Sequence, residues 1–275
     1  MIQQEKPSLV FLQETKGNSN ALEKILNKVW TGCRLVSVDA SGTSGGLAIL
    51  WNPQILSLQY FHASHFFIST TFHLIGTNIH GLLTNVYFPQ DLQKKLDVLN
   101  SLTALSSGRR HPLWISGGDY NITMVLEEKS GGRAKLEEDN IIFKEFIARN
   151  QLMDPQTSNG MFTWTKKRRG IQHIASRLDH FLLLHNAIHL GGDFHASIMP
   201  QAGSNHWPIM LQWSRPGTKC NRPFRFEAFW FSHPKFKEVV EDAWKSFNPP
   251  VGANMFQLQQ KLKHLKQALK SWNRT

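Results

Sequence analysis

Residues Trp114–Ile122 read WISGGDYNI. The stretch opens as an apolar strand, passes through a glycine pair and ends on Asp119 and Asn121. A carboxylate held against apolar chain is costly unless it is paired, hydrogen-bonded or bound to a metal. Three further segments repeat the arrangement: FLQET with Glu14, SRLDHFLL with Asp179, and GSNHWPI with His206. In each, an apolar strand adjoins the polar group, which holds a side chain rigidly at a sheet edge. Taken singly, each reads as a cap, a turn or a satisfied core polar group. Four segments alike in context and far apart in the chain point instead to one site assembled at strand ends.

On the N-terminal side, SLVFLQ (Ser8–Gln13) is an apolar run of strand length, and NALEKILNKVW (Asn20–Trp30) has apolar residues at helical spacing. RLVSVD and LAILW flank the glycine turn SGTSGG and read as a hairpin. ILSLQYFH, FFISTTFHL and IHGLLTNVYF continue a β-rich block. DLQKKLDVLNSLTAL places Leu92, Leu96, Leu99 and Leu102 on one helical stripe, and DNIIFKEFIARN is a second helix. Short strands follow at FTWT, SRLDHFLLL, FHASIM and WPIMLQW. Strands outnumber helices and are joined mostly by turns. The order predicts an α/β fold with largely antiparallel sheets, two of them packed face to face with helices outside.

Composition narrows the class. The chain has 275 residues, enough for one large domain or one domain with an appendage. Lys and Arg number 31 against 20 acids, a net charge of +11, and residues 215–275 hold 12 of those bases against 4 acids. A basic tail on a nearly neutral body predicts a polyanionic partner, nucleic acid first, with a merely solvated basic face as the alternative. The boundary falls at about residue 215, where RPGTKCNRP reads as a linker, dividing a domain at 1–214 from a helical extension at 215–275. In that extension Leu258, Leu262, Leu265, Leu269 and Trp272 form an amphipathic seam beside Lys261, Lys263, Lys266 and Lys270. Cys33 and Cys220 fit no metal-ligand spacing, and the N-terminus lacks the order of a secretory signal. Both predict a reduced intracellular protein, nuclear or cytoplasmic rather than secreted. No window nears the roughly 18 apolar residues of a membrane span.

LQETK, GGLAILW, NVYFP, SGGDYNI, FTWT…SRLDHFLL and GSNHWPI, taken in this order, resemble the endonuclease/exonuclease/phosphatase superfamily. The nearest likeness is the apurinic-endonuclease-like domain of plant LINE-type (non-LTR) retrotransposons, over roughly residues 5–213. The stretch FRFEAFWFSHPKFKEVVEDAW looks like the one that follows the endonuclease there, ahead of a reverse transcriptase. No Tyr-x-Asp-Asp polymerase signature occurs in the chain. The resemblance implies a four-layer α-β-β-α sandwich and Mg²⁺-dependent phosphodiester hydrolysis of DNA, with Mn²⁺ as a substitute and no small-molecule cofactor. It also implies DNA as partner and, in a full-length relative, a reverse transcriptase region.

Residue by residue, the resemblance makes Glu14 a ligand of Mg²⁺, a hard cation that takes carboxylate oxygens. Tyr87 brings its hydroxyl to the scissile phosphate. Asp119 orients or deprotonates the attacking water, and Asn121 holds that water or a phosphate oxygen. Asp179 fixes the ring of His206 in one tautomer, and His206 stabilises charge as the P–O bond breaks. The family has Ser-Asp-His where this chain has Ser204-Asn205-His206, so Asn205, a weak metal ligand at best, replaces an acid. Tyr120 stands where Phe is usual. The family's N-terminal strand and its active-site asparagine have no counterpart before IQQEKPSLVF. Together these departures predict a truncated or decayed copy with weakened activity.

The run Lys166, Lys167, Arg168 and Arg169 lies between two β-like segments and is expected to contact the DNA backbone. Two rival readings belong beside the nuclease. One is a non-catalytic nucleic-acid-binding or scaffold module on the same fold. The other is a serine hydrolase, because GTSGG (Gly42–Gly46) formally matches Gly-x-Ser-x-Gly around Ser44. A nucleophile elbow needs a helix after it, and LAILW reads as a strand. His62, His65, His73 and His80 lack a nearby carboxylate set and are read as ordinary surface or core histidines, and Trp51, Trp114, Trp164 and Trp207 as core.

Overall fold

LAILW is apolar at every position, and all five of its residues are buried. A strand of that kind must be covered on both faces. Leu47, Ile49 and Trp51 point into one apolar cluster, Ala48 and Leu50 into another, so this one strand lies between two packed layers. The computed structural model describes residues 2–40, 45–107, 111–132, 138–166, 173–185, 187, 193–201, 203–214, 235–250 and 254–272. The chain divides into two compact units, Met1–Thr218 and Lys219–Thr275.

In the first unit the elements run α1 (Ile2–Glu5), β1 (Leu9–Gln13), α2 (Ser19–Val29), β2 (Arg34–Val38), β3 (Leu47–Trp51), β4 (Leu56–Ala63), β5 (Phe67–Leu74) and β6 (His80–Tyr87). They continue with α3 (Leu92–Ser107), β7 (Trp114–Asp119), β8 (Lys129–Ser130), α4 (Glu138–Arg149) and β9 (Leu152–Met153). The last are β10 (Trp164–Lys166), β11 (Ile174–Ser176), β12 (Asp179–Leu184), β13 (Asp193–Ile198) and β14 (Ile209–Ser214). Asn18 caps α2 by accepting from the Ala21 amide, and Asp91 does the same for Lys94 at the start of α3.

A six-stranded sheet, ordered β4-β5-β6-β7-β12-β9, is the spine of the unit. Its pairs are antiparallel except β6 with β7, which are parallel and joined through α3. One face packs on α3 and α4 through Val98, Leu99, Leu102, Phe143 and Phe146. The other packs on the sheet β1-β3-β2, and α2 covers the far side of that sheet through Leu22 and Leu26. The layers are therefore helix, sheet, sheet, helix, as the resemblance implies.

The second layer is in two pieces. Among the described residues β1 pairs with β3 alone and packs over β6 and β7, while β14 pairs with β13 and packs over β12. Among the described residues no strand joins the free edges of β1 and β14. A further small sheet is ordered β10-β11-β8.

Gly118, in β7, has φ +144°, and a Cβ there would lie 2.0 Å from the Val86 carbonyl oxygen. Only glycine lets β7 run this close to β6 just before Asp119.

The second unit contains α5 (Phe236–Ser246) and α6 (Asn254–Trp272). They pack through Phe236, Val239, Val240, Leu265, Leu269 and Trp272. The leucine seam of α6 is thus buried only over its C-terminal half, with Leu258 and Leu262 exposed. No helix of the described residues is long and apolar enough to cross a membrane.

Candidate active site

β6, β7 and β12 lie side by side, and their register puts Tyr87 opposite Asp119 and Asp119 opposite Asp179. Three functional side chains predicted from separate motifs therefore stand in one row across three strands. Glu14 joins the row from the second layer. It follows β1 at φ +51° and accepts a 2.6 Å hydrogen bond from the Tyr87 hydroxyl. His206 closes it from the segment before β14, with Nδ1 2.9 Å from Asp179 Oδ2 and Nε2 3.8 Å from Asp119 Oδ2.

The segment 163–165 holds two of these groups at once. The Thr163 hydroxyl accepts from the amides of Leu178 and Asp179, and the Thr163 carbonyl accepts from the Trp207 amide. The Thr165 amide donates to the Asn205 carbonyl, and Trp164 bridges to His206. FTWT is thus the clamp that brings Asp179 and His206 together. Across the row, buried Asn85 donates to the carbonyls of Leu12 and Ala48 and its Oδ1 accepts from Gln13 Nε2, fixing β1, and so Glu14, against β6.

Asn121 is at φ +50°, a left-handed conformation that asparagine tolerates better than most residues. Its amide donates to Asp119 Oδ1 and its side chain to the Phe88 carbonyl. Tyr120, fully buried, satisfies its hydroxyl on Ser116 at 2.5 Å, so the change from Phe places no unpaired polar atom in the core.

The electrostatics are those of a site short of positive charge. Burial, reinforced by Asp179, raises the Asp119 carboxyl to about 7, although His206 opposes the shift. Burial depresses His206, but its bond to Asp179 and the charges of Asp179, Asp119 and Glu14 outweigh it and hold the imidazole above its ordinary value. Glu14 is held below the usual carboxylate range, first by the Tyr87 hydroxyl and also by Lys16 and His206. Burial and the neighbouring Glu14 raise the Tyr87 phenol, so it stays a donor.

Asp119, Asp179 and His206 each offer one ligand atom within 4.8 Å of the others, a set that could hold a metal ion. A buried carboxylate whose ionisation is so costly is a natural partner for a cation, and hard oxygen donors suit Mg²⁺ or Mn²⁺. A second group, Glu128, Asp154 and His180, is close enough as well. There the Arg177 guanidinium already bonds Glu128 at 2.7 Å and Asp154 at 2.6 Å through two nitrogens, which fills the role a metal would take.

Of the predicted residues, the structure brings Glu14, Tyr87, Asp119, Asn121, Asp179 and His206 to one sheet end. Asn205 is exposed beside His206 and takes part in the described contacts through its backbone carbonyl. Lys166 is exposed at the end of β10, which pairs antiparallel with β11; Lys167, Arg168 and Arg169 lie outside the described residues. Ser44 lies outside them too; the segment after it, β3, is a strand where a nucleophile elbow needs a helix. His62, His65, His73 and His80 are all exposed. The sequence alone assigns no role to Thr163 or Asn85. Both sit inside the FTWT and NVYFP motifs, but each acts on backbone groups of other strands, which spacing does not reveal.

The profile of the endonuclease/exonuclease/phosphatase family matches residues 1–225, and the chain belongs to that family of nucleases and phosphatases. No curated protein matches it in sequence. Among solved structures, the endonuclease domain of TRAS1, a telomere-specific non-LTR retrotransposon, is similar at TM-score 0.58 and 15% identity, over 77% of this chain and 88% of that one. The 3′ phosphatase NExo from Neisseria, bound to a product DNA hairpin, gives 0.61 and 16% over 78% and 91%. TDP2 from D. rerio with a single-strand DNA product gives 0.52 and 12% over 78% and 88%. At such identities the structural likeness concerns the fold.

Proposed function

We propose that this chain hydrolyses phosphodiester bonds in DNA with a divalent cation, Mg²⁺ in the cell, in the manner of a retrotransposon endonuclease. The observation that carries the reading is the in-register row Tyr87–Asp119–Asp179, flanked by Glu14 and closed by His206. Glu14 and the carboxylates beside it would hold the cation, which supplies Lewis-acid stabilisation of phosphate charge. The remaining work belongs to the chain. Asp119, at the centre of the row and 3.8 Å from His206 Nε2, would orient the attacking water and accept its proton. Asn121, anchored at its amide and at Nδ2, orients that water through the rest of its side chain. His206, whose Nδ1 is held by Asp179, and the Tyr87 hydroxyl face the charge that develops on phosphate oxygens.

Solved neighbours that hold DNA products support DNA as the substrate. Asn205 in place of an acid is the basis for expecting weaker activity than in relatives that carry the carboxylate. Supercoiled plasmid incubated with the protein in Mg²⁺ and in EDTA tests the reading. Nicking that requires Mg²⁺, and that rises in Asn205→Asp, is the expected result. Tight DNA binding without turnover in Mg²⁺ or Mn²⁺ would replace it with the binding-module reading.

A further inference from the structure

The loop that follows Asp119 is held in an unusual way. Three consecutive carbonyl oxygens, those of Asn121, Ile122 and Thr123, each accept from a buried side chain of a different element. Lys95 Nζ of α3 donates to Asn121 O at 3.2 Å, His180 Nε2 of β12 to Ile122 O at 3.1 Å, and Asn140 Nδ2 of α4 to Thr123 O. The Met124 amide then donates to Glu128 Oε2 at 2.5 Å. Loop backbone is normally solvated; here charged and amide side chains do that work from inside the protein.

Lys95 is the member nearest the chemistry. It is 3% exposed, and its ammonium pairs with Asp139 at 2.5 Å. A buried ion pair contributes little net stability compared with apolar residues of the same shape. What this pair adds is a directional donor on the carbonyl of Asn121, a residue in a left-handed conformation whose amide is committed to Asp119.

We propose that Lys95 is a positioning residue: through the Asn121 carbonyl it sets the conformation in which Asn121 and Asp119 meet the substrate. Asp139 serves Lys95, and His180, Asn140 and Glu128 carry the same restraint on to residues 122–124. The inference rests on the proposed nuclease reading but is testable apart from it.

The experiment compares wild-type protein with Lys95→Met, Lys95→Arg and Asp139→Asn by hydrogen exchange of peptides spanning 119–126 and by steady-state nicking in Mg²⁺. Lys95→Met is expected to speed exchange in that loop while α3 and β7 stay protected. A misplacement of about an ångström costs roughly a hundredfold in rate, so kcat should fall by about that factor with KM little changed. Lys95→Arg, which keeps a donor at the carbonyl, should retain most of both properties, and Asp139→Asn, which leaves the ammonium buried without its partner, should fall between Lys95→Arg and Lys95→Met. Unchanged loop exchange in Lys95→Met would overturn the proposal. So would equal losses in Lys95→Met and Asp139→Asn, since a purely structural pair behaves that way. If the wild-type protein does not nick DNA, the nuclease reading fails and the exchange measurements alone decide the role of Lys95.

Discussion

Asp179 and His206 meet at 2.9 Å, and the other ring nitrogen of the same imidazole lies 3.8 Å from Asp119. One histidine thus spans two carboxylates that are register partners on β7 and β12. Replacing Asp179 with Asn removes the charge that fixes the ring. The expected result is a loss of about a hundredfold or more in kcat/KM and a lower His206 pKa, read by NMR titration of the metal-free protein. The folded-state pKa of His206 is raised, so the stability it contributes is full below the unfolded value of about 6.5. That contribution is lost as pH climbs through the folded value, and Asp179→Asn should flatten this part of the profile.

Asp119 has the same sign of pH dependence but enters as a cost of ionising a buried carboxyl. Its carboxyl is raised to about 7, so between its unfolded pKa of 3.8 and 7 the metal-free fold loses stability as pH increases. Asp119→Asn removes that cost. Urea denaturation in EDTA should show the variant more stable than wild type by at least about 1 kcal/mol above pH 7, with the difference shrinking toward pH 4. Adding Mn²⁺ should stabilise wild type and leave Asp119→Asn nearly unmoved.

Much of this site is legible in the sequence because each functional group terminates a strand. Glu14, Asp119 and Asp179 follow or begin runs whose alternation and apolarity mark them as β, and His206 precedes such a run. What supports them is not legible. Arg177, Glu128 and Asp154 belong to no motif that marks them, yet their side chains are buried together as an ion cluster. Lys95 stands beside the leucine stripe of α3 without a motif of its own, and the packing of α4 on α3 buries it. The seam of α6 has a regular apolar spacing, yet its first half is exposed. Periodicity reports which face a residue takes, not what covers that face.

Gly118 can be tested through stability alone. Gly118→Ala places a methyl against the Val86 carbonyl at a φ that side chains rarely adopt. A destabilisation on the order of 2 kcal/mol or more is expected from strain of this kind, measured as a shift of the urea midpoint. A neutral result would mean that β6 and β7 do not pair in this register.

Tyr87→Phe isolates the hydroxyl that bonds Glu14 at 2.6 Å. The Glu14 carboxyl should titrate at higher pH in the variant, because that bond is the largest influence lowering it. Nicking should fall about tenfold or more, in keeping with the loss of one donor aimed at developing charge, with little change in thermal midpoint. Carbon-detected NMR of the carboxyl and a nicking time course read the two effects.

The basic run Lys166, Lys167, Arg168 and Arg169 is expected to contact phosphates. With all four replaced by Ala, the slope of log affinity against log salt should become less steep by up to about 0.9 for each phosphate no longer neutralised. Fluorescence anisotropy on a labelled duplex from low to physiological salt measures it, and an unchanged slope removes these residues from the interface.

Whether the row from Glu14 to His206 cuts DNA is decided by single-turnover nicking of supercoiled plasmid at fixed Mg²⁺. Wild type, Asp119→Asn and His206→Ala are compared, each confirmed folded by circular dichroism. Wild type should cleave, and both variants should be slower by about a hundredfold or more. Equal cleavage by all three proteins would refute the assignment of this row as the active site.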